Sequence, residues 1–273
     1  MLLQNSLHVK YLHQHRVEYM KTLRSRILAK DILVGTFCAI AHPPVAEMVA
    51  GAGFDFIVID AEHSQIGRGD LENLFRAADV ARTPALLRVP DNDRIWISSA
   101  LDSGATGVLV PRISTADDAR AAVAMTRYPP QGERGVGPGR ASAYGAKIEE
   151  TVAAAHANTV LAVQLETAQG LDNIDAIAAV EGIDAVYIGP GDLAVSLGAF
   201  GPEGRPVLER AIAKVVDCCK RHGRAVGIFA MTPENLSQSI GQGMTFLTLG
   251  ADSIFLGQGL KNAADAARKA RGD

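Results

Sequence analysis

The sequence predicts a single (β/α)8 barrel, the TIM barrel. Eight apolar, β-branched runs recur with helical patterns between them, the signature of parallel strands joined by crossover helices. Four of the runs end on polar or charged residues, and in this fold strand C-termini are where functional side chains gather. An open doubly wound sheet usually has fewer strands and a Gly-rich first turn, which the first run lacks.

Taken in order, the first strand covers Leu33–Phe37 and the second, Phe56–Asp60, runs into Ala61-Glu62-His63. A helix over Asp70–Ala81, opened by the cap-competent Asp70, leads to a third strand, Ala85–Val89, which carries Arg88. The next helix, Arg94–Ser103, holds Asp102 and closes at Gly104, ahead of a fourth strand at Gly107–Val110. Thr115 opens a helix to Thr126, and the fifth strand, Thr159–Gln164, is followed closely by Glu166. A helix over Gln169–Val180 ends near Gly182, and the sixth strand, Ala185–Ile188, runs into Gly189-Pro190-Gly191-Asp192. The helix Val207–His222 with Gly223, the strand Ala225–Ile228, the helix Pro233–Gly241 and the strand Phe246–Leu249 complete the set.

The longest gap lies between the fourth and fifth strands and contains Arg127 through Arg140. Its glycines, Gly135, Gly137 and Gly139, mimic part of a dinucleotide fingerprint, but no strand precedes them and no helix starts on them. A flexible wall or lid, with Arg134 and Arg140 suited to an anionic substrate, is the expected role.

At 273 residues one barrel domain accounts for the chain. Residues 1–20 read as an N-terminal extension, basic and acid-poor but without the Ser content or amphipathic repeat of a transit peptide, with Met20 opening the domain that runs to residue 273. A formal net charge of −3 gives no footprint for nucleic acid or an anionic membrane, and no apolar run is long enough to span a bilayer. Cys38, Cys218 and Cys219 form no Cys-x-x-Cys pattern, which favours a reducing, cytoplasmic setting.

An acid at the end of a buried parallel strand is costly unless it meets a cation or a donor. Glu166 and Asp192 each also fit a helix N-cap when taken singly. Together, with Gln164 two residues before the first and a Gly-Pro-Gly turn before the second, they read as a hard-metal site in which Mg²⁺ is held by two carboxylates and substrate oxygens. The turn leaves backbone N–H groups bare for a small carboxylate. His63, flanked by Asp60 and Glu62, is the candidate base, and Asp102 is a further candidate partner for it. The other histidines, among them His156 and His222, read as structural. Arg88 follows Ala-Leu-Leu in a buried strand, and a buried guanidinium needs an anionic partner that a substrate can supply. A bidentate 2-oxo acid fits this constellation: it chelates the metal, which acidifies the adjacent C–H, and that chemistry makes or breaks a carbon–carbon bond.

These residues resemble the class II pyruvate-dependent aldolases of the HpcH/HpaI type, typified by 4-hydroxy-2-oxoheptanedioate aldolase and 2-dehydro-3-deoxyglucarate aldolase. The resemblance covers about residues 21–270 and is strongest in Phe54–His63, Arg127–Gly137, Gln164–Glu166 and Ile188–Asp192. It implies a TIM barrel whose last helix swaps between protomers, building a homohexamer from dimers. It also implies Mg²⁺, Mn²⁺ or Co²⁺ on Glu166 and Asp192, with pyruvate or hydroxypyruvate contacted by Gln164 and the backbone around Gly189, Pro190 and Gly191. His63 falls on the family's base, Arg88 on its transition-state arginine, Asp102 on the acid that tunes the histidine, and Asp60 on a second polar partner. Two departures stand out: Gly191 replaces an alanine common in the family, and Ala61 replaces glycine in the Asp-Gly-Glu-His motif. The co-substrate is an aldehyde whose identity the sequence leaves open. A phosphoenolpyruvate mutase or citrate-lyase-like enzyme on the same barrel is the alternative chemistry. A binding protein on a dead barrel would lack a site residue, and none is missing.

Overall fold

The computed structural model describes residues 21–271, so the expected extension at residues 1–20 lies outside the described residues. Eight parallel strands close into a barrel in chain order, β1 (Leu33–Cys38), β2 (Phe56–Asp60), β3 (Ala85–Arg88), β4 (Gly107–Val110), β5 (Val160–Leu165), β6 (Ala185–Ile188), β7 (Ala225–Ala230) and β8 (Phe246–Ala251), with β8 pairing back onto β1. Twelve α-helices lie among the described residues: α1 (Leu23–Leu28), α2 (Pro43–Ala50), α3 (Leu71–Val80), α4 (Arg94–Asp102), α5 (Ala116–Thr126), α6 (Ile148–Asn158), α7 (Ala168–Asp172), α8 (Ile174–Ala178), α9 (Pro190–Ser196), α10 (Arg205–Arg221), α11 (Pro233–Gly241) and α12 (Asp252–Arg271). No helix among these is long and apolar enough to cross a membrane.

All eight expected strands form, with ends shifted by no more than two residues. The helix expected over Gln169–Val180 is broken in two at Asn173, whose non-helical backbone ends α7 while its side-chain amide donates to the Ser114 carbonyl at 2.9 Å. Thr115 caps α5 as expected, in a reciprocal capping box with Asp118. Asp70 does not cap α3: its backbone is already helical and its carboxylate accepts from Gly67 N at 2.8 Å. Gly104, Gly182 and Gly223 all adopt positive φ, the left-handed conformation that ends a helix with least strain in glycine.

Strand periodicity sorts the side chains into two cores. Ile57, Ile59, Leu87, Val108, Val163, Val186 and Ile188 face outward and pack under the helices. Phe56, Val58, Leu86, Leu109, Ala162, Tyr187 and Phe246 fill the barrel interior. Phe56 stacks on Phe246 at 4.5 Å between ring centres, and Tyr187 meets Phe246 edge-on at 6.3 Å. Two inward positions are glycine because these rings occupy the space: a Cβ on Gly35 would sit 2.6 Å from the Phe56 ring, and one on Gly227 would sit 2.6 Å from Tyr187 and 2.3 Å from the Phe246 carbonyl. The same parity aims Asp60, Arg88 and Gln164 into the barrel mouth.

The N-terminal end of the barrel is closed by a buried ionic network. Asp184 Oδ1 accepts from Arg24, while Oδ2 accepts from Arg127 at 3.2 Å and from Leu161 N at 2.9 Å. Arg127 therefore belongs to the framework at the end of the barrel opposite the mouth.

Gly227→Ala should cost about 1–3 kcal/mol of unfolding free energy by overpacking, because one of the atoms it would strike is backbone that cannot rotate away. Urea unfolding would measure it, and unchanged stability would mean the interior aromatics are loosely held.

Candidate active site

The mouth of the barrel holds a cavity of about 370 Å³ whose lining includes Asp60, His63, Arg88, Gln164 and the Gly189–Asp192 turn. Phe37, Phe229 and Ile254 give it an apolar side. Strand ends from β2, β3, β5 and β6 thus converge as expected, each bringing its inward-facing residue.

Asp60 is the centre of the polar half. Its carboxylate accepts from Arg88 Nε at 2.9 Å and Nη2 at 2.7 Å, and from the backbone N–H groups of Glu62 and His63 at 3.1 and 3.2 Å. Arg88 also lies 3.2 Å from Glu62 through Nη1 and stacks over Phe37 at 4.7 Å. The guanidinium therefore has its anionic partners within the chain and does not wait for a substrate to supply them, which corrects the expectation from sequence. Asp60 grips the backbone of the His63 loop rather than the imidazole. The acid beside the imidazole is Glu62, 3.9 Å from Nε2, and the His63 side chain is more than half exposed to the cavity.

On the opposite wall Glu166 is 4% exposed. Its Oε1 accepts from Arg112 N at 2.8 Å, and its Oε2 takes a short hydrogen bond from Gln164 Nε2. Arg112 reaches this position with φ of 57°, a left-handed conformation disfavoured for any residue but glycine and most often tolerated at functional sites. Thr167, and not Glu166, caps the following helix, accepting from Gly170 N. Asp192 lies in the first turn of α9, where Gly189 holds the cap position. Gly189 is needed for room: a Cβ there would sit 2.7 Å from Glu166 Oε2. Of the turn's N–H groups, that of Gly189 is bonded to the Leu165 carbonyl and Pro190 has none, which leaves Gly191 and Asp192.

The site carries more negative charge than its one guanidinium can match. Burial, with Glu166, Asp60 and Asp192 adding repulsion against the pull of Arg88, raises the Glu62 carboxyl to about 7. Burial likewise raises Glu166, against the bonds from Gln164 and Arg112. Two buried acceptors, Glu62 Oε2 and Gln164 Oε1, have no aligned hydrogen-bond donor among the described residues. Glu166 and Asp192 are close enough to repel, the unpartnered Gln164 oxygen lies beside Glu166, and each carboxylate oxygen keeps a second lone pair, so this all-oxygen set fits a hard divalent cation on Glu166 and Asp192.

Three sequence candidates do not join this group. Asp102 ends α4, a few residues before β4 begins, and thus lies at the end of the barrel away from the mouth. Its carboxylate takes Arg134 Nη2 at 3.0 Å and does not reach His63 within one chain. Arg134 is buried on that bond and against the Tyr128 ring, and Arg140 bonds Asp79 and the Ser103 carbonyl. The loop that carries them is a strut along the outside of the barrel, not a lid. Sequence reasoning passed over Tyr187, Phe37 and Phe229; the alternation of each strand carried that signal.

The chain matches the model of the HpcH/HpaI aldolase/citrate lyase family over residues 33–257. It is 36% identical over 246 residues to a 5-keto-4-deoxy-D-glucarate aldolase of Klebsiella pneumoniae, with 90% of this chain and 96% of the relative covered. It is 35% identical to a hydroxypyruvate/pyruvate aldolase of Paraburkholderia phytofirmans, covering 92% and 98%. The crystal structure of an HpcH/HpaI aldolase/citrate lyase family protein from Burkholderia cenocepacia superposes with a TM-score of 0.85 at 36% identity, covering 90% and 98%.

Between its ordinary value of 4.5 and about 7, Glu62 holds a proton in the folded chain that the unfolded chain releases. Stability of the metal-free protein should therefore be unaffected by this group at acid pH and fall as pH rises through that window. Glu62→Gln should flatten the fall, as thermal melts at a series of pH values would record. A slope identical to that of the parent would mean that Glu62 is not the group carrying the strain.

Proposed function

The chain belongs to the HpcH/HpaI aldolase/citrate lyase family, and on that premise we propose that it is a metal-dependent aldolase acting on pyruvate or hydroxypyruvate and an aldehyde. The products of the forward direction are 4-hydroxy-2-oxo acids, which the same site cleaves in reverse. Its reaction class, carbon–carbon lyase, follows from its aldolase relatives. The observation that supports the metal dependence is the pair of acids Glu166 and Asp192 at neighbouring strand ends, the first buried and raised by desolvation, the second lining the cavity and repelling it. No lysine lines the cavity, so a Schiff-base route lacks its nucleophile among the described residues.

Mg²⁺, Mn²⁺ or Co²⁺ held by Glu166 and Asp192 would supply the positive charge that polarises the ketone of a 2-oxo acid. The chain's own groups do the rest. Gln164 and the backbone N–H of Gly191 orient the keto acid's carboxylate. His63, exposed to the cavity, removes the proton from the carbon next to the ketone and returns it on cleavage. Arg88, held rigid by Asp60, presents its remaining N–H groups to the oxygen on which charge develops. Phe37, Phe229 and Ile254 form the dry side of the cavity, against which the aldehyde reacts.

Asp102 does not reach His63 in one chain, so the pairing that the family resemblance implies has to come from a neighbouring copy. The C-terminal helix supports an assembly of that kind: Asp252 anchors its start by accepting from Ala39 N and Ile40 N, while Leu256 and Leu260 are 53% and 63% exposed along α12. Swapping of α12 between protomers and closure into a hexamer is the reading we adopt, and light scattering on the purified protein tests it.

Cleavage of a 4-hydroxy-2-oxo acid should be abolished by EDTA and restored by Mn²⁺ or Mg²⁺, and borohydride should trap no pyruvate adduct; a trapped adduct would overturn the metal-dependent reading. His63→Ala should slow exchange of the pyruvate methyl protons by about 10²–10⁴-fold with metal affinity kept, as NMR in D₂O would record. Arg88→Lys keeps the charge but loses the fork that grips Asp60, so kcat should fall much more than KM rises. A raised KM with unchanged kcat would make Arg88 a carboxylate clamp instead.

A further inference from the structure

On the outer wall of the barrel three unlike ligand groups converge, remote from the mouth. Cys218 and His222 stand four residues apart at the end of α10, so their side chains share one face of that helix. Asp175 reaches them from α8: its Oδ1 lies 3.4 Å from Cys218 Sγ and 3.1 Å from His222 Nε2. The three ligand atoms all fall within 4.8 Å of one another. Metal–ligand bonds of about 2.0–2.3 Å in a tetrahedron place neighbouring ligands roughly 3.3–3.7 Å apart. The two edges that Asp175 makes are within a few tenths of an ångström of that, and the third, from Cys218 Sγ to His222 Nε2, is no longer than 4.8 Å.

An ordinary hydrogen-bonding aspartate is a weaker account. Asp175 is 69% exposed, so water alone would satisfy it, yet a buried thiol, a part-buried imidazole and Arg221 all converge on the same oxygen. Among the described residues this is the one group of three or more His, Cys, Asp or Glu side chains with ligand atoms so close. We propose that Asp175, Cys218 and His222 form a second metal site, specific for a borderline divalent ion, Zn²⁺ by its ligand chemistry, with water as the fourth ligand. The sulfur ligand selects against Mg²⁺ and separates this site from the all-oxygen set at the mouth. On binding, the Cys218 S–H bond breaks and a metal–sulfur bond forms; the proton leaves to solvent and no electrons are transferred. Arg221, 3.0 Å from Asp175 Oδ1, then moves to the free Oδ2 or to Asp217 beside it in the same groove. The bound ion would clasp α8 to α10, two helices otherwise joined here only by side-chain packing and exposed polar contacts.

Titration of the full-length protein with Co²⁺ in excess Mg²⁺ tests the site. A thiolate-to-cobalt charge-transfer band should appear, saturate at one Co²⁺ per chain and vanish on addition of Zn²⁺. Oxygen ligands at the mouth cannot produce that band. Cys218→Ser should abolish it, and the exposed Asp175→Asn and the part-buried His222→Ala, with thermal melts to confirm that each is folded, should each weaken Co²⁺ affinity by at least about tenfold. A wild-type protein without the band, a band that survives Cys218→Ser, or an affinity unchanged in both of the other variants would overturn the proposal.

Discussion

One carboxylate organises the mouth of this barrel. Asp60 is the last inward position of β2, and its two oxygens are shared among the Arg88 guanidinium and the N–H groups of Glu62 and His63. A buried ion pair contributes little net stability, but removal of one partner strands the other and costs about 3–5 kcal/mol. That asymmetry locks the arrangement. The guanidinium cannot leave the mouth, and the loop that carries the histidine is wound around the same acid, with Ser64 closing it onto the Asp60 carbonyl. Position of the cation and position of the base are thus one constraint.

Against that fixed frame the remaining acids are left in conflict. Glu62, Glu166 and Asp192 repel one another, and burial adds to the cost of keeping the first two ionised. Nothing in the packing demands this: Gly189 gives up a side chain to leave space beside Glu166, and Arg112 takes a strained backbone conformation to aim its N–H at the same carboxylate. A sequence selected for stability alone would relieve such a site. Its presence at the strand ends is intelligible under the proposed function, in which a bound divalent cation supplies the missing positive charge.

The fold was legible because a buried parallel strand advertises itself as an apolar run, and Asp60, Arg88, Glu166 and Asp192 were legible because each interrupts the end of such a run. Asp102, Arg134 and Arg140 were less so. A charge on a helix or in a long loop finds a local partner as readily as a substrate, and spacing does not say that Asp102 ends a helix which has already returned to the far end of the barrel. The partnership of Arg88 with Asp60 also escaped, since strand registry, with Asp60 opposite Arg88, is a property of two runs and not of either. The Asp175, Cys218 and His222 trio was not legible, His222 reading as structural, because its third member comes from another helix and spacing along one helix does not reveal it.

The two ends of the barrel use the same chemistry to opposite effect. At the N-terminal end Asp184 is 2% exposed, and its two oxygens are met by two guanidiniums and a backbone N–H. That acid is saturated and has no capacity left for a ligand, so it serves only to tie α1, the Arg127 segment and the start of β5 together. At the C-terminal end acids outnumber guanidiniums, and the Glu62 and Gln164 oxygens lack aligned donors. Buried carboxylates at either end need positive charge or donors in equal measure. The end at which the protein has met that need itself is framework, and the end at which it has not is where chemistry can occur.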